Sequence, residues 1–336
     1  MRALGSSAIH LLLLGTSLVP APAAAFGPEQ LALIVNTADP YSVDVGAYYA
    51  RRRDIPSANV VFVTLPVGQS EISRQDFETA KAGVDAKLPA TVQALALAWT
   101  TPFRVDCLSI TTAFAFGFDP AFCAQGCRPT RRSPYFDSPS RAPFSELALR
   151  PSMLLAGQSV TEGKALIDRG VAADATFPRG TAYLLSTSDR ARNARAAGYP
   201  LLDTLKPRVR VERLDADELR DRRDVLFYFT GLPWVAGLET LRFRPGAIAD
   251  HLTSTGGILT GHGQMSALRW LEAGATASYG AVMEPCNFTT KFPRPAVAIA
   301  RYTRGETLLE AYWKSVAMPG QGVFVGEPLA APFRAR

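Results

Sequence analysis

The chain has 336 residues and a formal net charge of +6, from 36 Lys and Arg against 30 Asp and Glu. Apolar residues make up 47% and charged residues 20%. These are ordinary values for a globular protein and exclude a largely disordered chain.

The first 25 residues read as a secretion signal. Arg2 supplies the positive start, 8–19 is apolar, and Ala23-Ala24-Ala25 offers a small-residue cleavage site before Phe26. The apolar run falls short of the roughly 20 residues that span a membrane. The expectation is an exported bacterial protein, periplasmic or secreted, with no transmembrane anchor after cleavage. Roughly 310 residues then remain, enough for two domains or one large α/β unit. The division expected is an N-terminal α/β half, 26–160, and a C-terminal α/β half, 161–336.

After the signal, strand and helix patterns alternate. Residues 31–35 form a continuous apolar run, as a buried parallel strand should. Ser42 is placed to cap a helix ending near Arg52, before Ile55-Pro56. A strand at 59–63, a helix opened by Ser73 with Phe77, Val84 and Leu88 on one face, and a strand at 95–99 complete a βαβαβ series. Such a series implies a parallel sheet with right-handed crossovers. From 107 to 150 the rhythm breaks into a surface excursion rich in Cys, Pro and Arg. Loops of this length are often functional or pinned by disulfides.

Alternation resumes with a helix at 161–170 and a strand at 182–186. Further strands are expected at 209–211, 225–229, 258–259 and 275–282, with a helix at 266–273 joining the last two. One long helix fills much of 295–316, and a strand at 323–325 closes the chain. Arginines crowd 190–195 and 208–223. The acids interleaved downstream, Asp215, Asp217, Glu218, Asp221 and Asp224, read as a solvated helical face. Nucleic acid is therefore not expected as a partner, whereas an anionic envelope polymer is compatible.

Cys107, Cys123, Cys127 and Cys286 allow two bridges and three pairings in an oxidising compartment. A bridge within Cys123-x-x-x-Cys127, or from either of them to Cys107, fits the loop and leaves Cys286 paired or free. The chain has three histidines, of which only His251 and His262 follow the signal, so no histidine-rich metal site can form. No metal or cofactor is expected. G-x-G-x-x-G, P-loop, G-x-S-x-G and H-E-x-x-H motifs are absent.

Two groups of residues carry candidate chemistry. Thr260-Gly261-His262-Gly263 puts a histidine in a glycine-flanked turn, and the apolar segment after it ends just before Cys286. A nearby imidazolium stabilises a thiolate, and the glycines would offer amide N–H groups to an oxyanion. Cys286 would be the nucleophile and His262 the base, with Glu284 in reach to orient a histidine. The plainer reading makes His262 a turn residue and Cys286 a disulfide partner. The second group sits at strand ends: Asn36 to Asp39, Thr100-Thr101, Ser186 to Asp189, and Thr230. Open parallel sheets bind ligands beyond the carboxyl ends of their strands. Asn36, Asp39, Thr100, Ser186, Asp189 and Thr230 suit a hydrogen-bonded sugar or peptide end, although such residues also serve as turn formers and caps.

The stretches 48–56, 150–155, 167–170, 276–286 and 324–329 together resemble an uncharacterised family of exported bacterial proteins, which implies no activity. More distantly, the strand order and the closing Val325-Gly326-Glu327-Pro328 resemble the caspase and gingipain class of cysteine peptidases. That class carries a His-Gly after one strand and a catalytic Cys after the next. The resemblance implies a largely parallel sheet with helices on both faces, a three-layer sandwich.

Two registers compete. In one, His262-Gly263 and Cys286 are the dyad. In the other, 225–229 is the histidine strand, Thr230-Gly231-Leu232-Pro233-Trp234 replaces the His-Gly, and Ser254 lies near the thiol position. The second aligns the final strand better and gives the fold without the dyad. The functional expectation is a non-catalytic or degenerate peptidase-like envelope protein that binds a polymer or peptide. The alternative is an active cysteine hydrolase.

Overall fold

Strand β1 (Leu31–Asn36) is buried along its whole length, because the sheet it belongs to is covered on both faces. Leu31, Leu33 and Val35 enter one apolar cluster and Ala32 and Ile34 enter another. That is the two-residue period of a strand between two helical layers. The computed structural model describes residues 26–124, 126–205, 209–261 and 263–335. The expected signal, 1–25, and His262 lie outside the described residues.

In chain order, β1 is followed by α1 (Pro40–Arg52), β2 (Val60–Val63), β3 (Glu71–Ile72), α2 (Arg74–Asp85) and β4 (Ala94–Leu97). Next come β5 (Arg104–Val105), β6 (Leu108–Ser109), α3 (Ile110–Phe116), α4 (Pro143–Leu147) and β7 (Ser152–Leu154). The second half contains α5 (Val160–Ala173), β8 (Thr181–Ser186), α6 (Leu201–Leu205), β9 (Arg210–Asp215), β10 (Val225–Thr230) and β11 (Phe243–His251). It closes with α7 (Leu268–Glu272), β12 (Ala277–Ala281), α8 (Pro295–Thr303), α9 (Leu308–Trp313) and β13 (Gly322–Gly326).

Ten strands form one sheet in the order β2-β1-β4-β7-β13-β12-β11-β10-β8-β9. Neighbours are parallel except β12 and β13, which are antiparallel. The first five strands in that order therefore run one way and the last five the other. Carboxyl ends of β1, β4 and β7 lie along one edge, and those of β8, β10 and β11 lie along the opposite edge. The strand ends read from sequence as one converging group are thus split in two. Local apolar patterns carry no strand direction, and the reversal is made at a single seam.

Local chemistry explains most boundaries. Asp39, not Ser42, caps α1, accepting from Tyr41 N at 3.0 Å ahead of Pro40. Ser42 Oγ instead accepts from Asn36 N at 2.8 Å, inside the turn that leaves β1. The helix buries Ser42, Val45, Gly46 and Tyr49, a stripe of helical spacing. Ser73 caps α2 as expected. The expected long helix at 295–316 is broken at Gly305, whose φ of 91° only glycine adopts cheaply. A capping box between Thr307 and Glu310 restarts it as α9.

Two further corrections concern the excursion and a strand. The excursion 107–150 contains α3, whose residues 110–115 are buried, so it is partly core. Residues 258–259 are loop. The strand of that region is β11, hidden in the sequence by Arg244, Pro245 and Gly246.

Stretches singled out in the sequence meet around α1. Arg53 pairs with Glu327 and with Asp174, and Tyr49 donates to Glu327 Oε1 at 2.8 Å. A Cβ on Gly170 would lie 2.4 Å from Glu327 Oε2, so α5 needs glycine there. Two residues before Gly170, Asp168 accepts from Tyr48 at 2.8 Å and from Arg52 at 2.8 Å. Residues 48–53, 168–170 and 327 are thus a latch between α1, α5 and the chain after β13.

Candidate binding cleft and a filled edge

The edge carrying the carboxyl ends of β1, β4 and β7 opens into a cleft of about 700 Å³. Asp39, Thr100, Thr101, Gly157 and Gln158 line it from the ends of those strands, and Thr260, Gly261, Gln264 and Ser266 line it from the chain after β11. Thr100 Oγ1 donates to Gly157 O at 2.7 Å and accepts from Gly157 N at 3.1 Å. Its hydroxyl is therefore spent in tying two strand ends together, and Thr100 shapes the wall. Asn36 is likewise internal. Its carboxamide donates to Leu65 O at 3.2 Å and accepts from Leu65 N at 2.9 Å. Of the residues expected to face a ligand here, Asp39 does so with the carboxylate oxygen that Tyr41 leaves free.

Val67 and Trp234 add apolar surface to the same cleft, and they are 49% and 57% exposed. Trp99, Trp270 and Trp313 are fully buried. An indole left in water beside a carboxylate, threonines and two glutamines gives a mixed apolar and hydrogen-bonding surface. Binding pockets that fix the orientation of a ligand have this makeup. Gln158 and Arg269 both pair with Glu272 at the end of α7, which anchors the far wall.

The opposite edge is filled by protein. A 3-10 segment, Arg192–Gly198, lies across the ends of β10 and β11. A Cβ on Gly231 would come within 2.0 Å of Arg192 O, so only glycine lets the segment settle there. Arg195, 5% exposed, pairs with Asp250 at the end of β11 and donates to Thr230 O at 2.8 Å. Tyr312 donates to the other oxygen of Asp250 at 2.8 Å. Burial raises the Asp250 carboxyl above its ordinary range, and Arg195 offsets part of that rise. The arginine run at 190–195 is therefore not a solvated face throughout, since Arg195 is a core residue. Asp189 is spent on Arg192, accepting from its N at 3.0 Å and its Nη1 at 2.8 Å. Thr230 is buried, and Ser186 ends β8 partly buried on this same edge.

His251 is the second buried group here. Trp270 Nε1 donates to His251 Nδ1 at 2.9 Å, which leaves the proton on Nε2, 3.0 Å from Met265 O. Both ring nitrogens are committed, and burial pushes the imidazole down to about 3. A histidine so held cannot take up a proton as a general base near neutral pH.

Cys286 is bonded to Cys127, and Cys107 to Cys123. A bridged sulfur is not a resting nucleophile, so the expectation of a Cys286 thiolate is withdrawn. Glu284 does not orient a histidine either, because its Oε1 accepts from Cys286 N at 2.8 Å and closes its own turn. His262, the partner expected for Cys286, lies outside the described residues.

The groups that sequence reasoning missed are Asp250, Tyr312, Trp270 and Trp234 as a cleft residue. Only Ala247-Ile248-Ala249, a short apolar run ending in Asp-His, signalled β11. Among the described residues no helix is long and apolar enough to cross a membrane. No family model, curated protein or solved structure matches this chain.

Proposed function

We propose that this chain is a non-catalytic binding protein of the bacterial cell envelope, a degenerate relative of the caspase and gingipain class that holds a saccharide segment of an envelope polymer. Support for the framework comes from β10 and β11, adjacent parallel strands of the kind that carry a His-Gly and then a Cys in that class. Here the corresponding positions are Thr230-Gly231 and the stretch from Asp250 to Ser254. They are occupied by the Arg195–Asp250–Tyr312 network and the segment lying over it.

The observation that carries the binding reading is the open cleft on the other edge, with Trp234 exposed and Asp39 in its wall. Sugars present an apolar face to stack on an indole and hydroxyls to hydrogen-bond carboxylate and amide groups. A peptide offers less of the former.

The test is a fluorescence titration with a panel of neutral oligosaccharides. Trp234 is the exposed indole, so binding changes its emission, and Trp234→Phe identifies the signal. Binding that weakens about tenfold in Trp234→Ala supports the reading, a change of ~1.4 kcal/mol. Peptides binding in place of sugars would redirect the ligand assignment. Peptide hydrolysis abolished by Cys286→Ala would overturn the non-catalytic assignment.

A further inference from the structure

Phe26 is in the core although it directly follows the expected signal. Its side chain is 1% exposed and belongs to the apolar cluster on the α1, α8 and α9 side of the sheet. Its backbone nitrogen lies 3.4 Å from Glu310 Oε2, and its carbonyl accepts from Arg334. Glu310 has no exposed surface. Its Oε2 also accepts from Thr307 N and Thr307 Oγ1, each at 2.9 Å, and its Oε1 faces Arg141 Nη1 at 3.2 Å.

Arg141 thus already pairs with Glu310, and the other charged groups nearby pair with one another. Lys314 Nζ lies 3.1 Å from Glu306 Oε2. Arg141 and Arg301 also reach Glu306, at 3.6 and 3.5 Å, and Arg301 pairs with Asp137 at 2.8 Å. Two independent features therefore meet at one peptide bond. The small-residue pattern Ala23-Ala24-Ala25 marks the Ala25–Phe26 bond for cleavage, and the fold buries the nitrogen on its far side against a carboxylate.

We infer that cleavage of this bond is a maturation step that completes the core. Hydrolysis adds one water across the bond, catalysed by an envelope signal peptidase. Ala25 leaves with a carboxylate, and the Phe26 nitrogen changes from an amide with one N–H to an α-ammonium. A free α-amino group ordinarily has a pKa of about 7.7–8.0, so it is largely charged at neutral pH. Held against buried Glu310, the ammonium forms an ion pair where the precursor has a hydrogen bond from an uncharged amide. That pair ties the residues leading into β1 to the first turn of α9. The helix in turn carries Trp313, stacked on Phe324 of β13 with ring centroids 4.5 Å apart. The mature terminus thus locks the N-terminal half to the seam of the sheet. This inference is independent of the cleft and its ligand.

The test compares chains that differ at the terminus. Mass spectrometry of the exported protein should give Phe26 as the first residue. Thermal melts of the chain starting at Phe26 and of one retaining Ala25 should differ by about 2–4 °C in favour of Phe26, the shift expected for a modest stabilisation of a chain this large. The same pair in a Glu310→Gln background should melt within a degree of each other, because the partner charge is gone. Should Glu310→Gln fail to fold, amine labelling of the wild-type protein decides. The Phe26 amine should then react at least tenfold more slowly in the native than in the denatured chain. A first residue other than Phe26, equal melts of the wild-type pair, a difference that persists in Glu310→Gln, or an α-amine labelled equally fast in both states would overturn the inference.

Discussion

The two edges of the sheet start from similar materials and end differently. Each presents strand ends rich in Asn, Asp, Ser and Thr, and each has an arginine or aromatic residue within reach. On the edge of β1, β4 and β7, Asn36 and Thr100 are used to brace loops, which holds the walls apart and leaves Asp39 and Trp234 facing water. On the edge of β8, β10 and β11, Arg192–Gly198 folds down over the strand ends, and Arg195 neutralises Asp250 inside the protein. The residue types at a strand end do not decide whether it binds a ligand. The connection that follows it does, by standing clear or by closing over.

The largest expected effect tests whether the filled edge is scaffold. Arg195→Met leaves Asp250 buried without its counter-ion, and removing one partner of such a pair costs about 3–5 kcal/mol. Urea unfolding should show this as a lower midpoint. Acid should find the same edge. His251 has its folded value lowered to about 3 from 6.5, so the unfolded chain binds the extra proton between those values. Its contribution is present above about pH 6.5 and is lost as pH falls toward 3, on the order of 5 kcal/mol in total. His251→Gln keeps an acceptor for Trp270 and a donor for Met265, and it should flatten this part of the stability–pH curve.

Smaller effects sharpen the contrast. Tyr312→Phe removes one donor to a buried carboxylate and should cost about 2 kcal/mol by denaturant titration. At the open edge, Asp39→Ala removes the α1 cap and should cost about 1 kcal/mol, whereas Asp39→Asn keeps the cap. If Asp39 also serves the ligand through its charge, Asn at this position should retain stability and lose affinity. Unchanged affinity in Asp39→Asn would reduce Asp39 to a cap.

Much of this arrangement was legible in the sequence, and the rest was hidden for identifiable reasons. Strands β1, β2, β4, β8 and β10 are apolar runs bounded by turn residues, so their type and rough limits followed from pattern. Strand β11 opens with Phe-Arg-Pro-Gly and has only three apolar residues at its centre, too few to outweigh that start. Without that strand, the sequence points to Thr260 and His262 rather than to Asp250 and His251. Helix α3 was obscured by the polar segment that follows it, although Ser109 and the apolar residues after it mark a capped helix. Asp39 and Thr100, read from sequence as strand-end residues, both line the cleft, Thr100 only as part of its braced wall. The split of the strand ends depends on the antiparallel pairing of β12 with β13, a long-range choice with no local signature.

The measurement that bears most directly on this account sets Trp234→Ala beside Arg195→Met in the same oligosaccharide titration, with a thermal melt of each. The account predicts a clean exchange of phenotypes. Trp234→Ala should lose about tenfold in affinity with its melting temperature unchanged, and Arg195→Met should melt well below the wild type and bind as tightly wherever it is folded. Loss of binding in Arg195→Met with full affinity in Trp234→Ala would contradict it, and would move the functional site to the edge described here as filled.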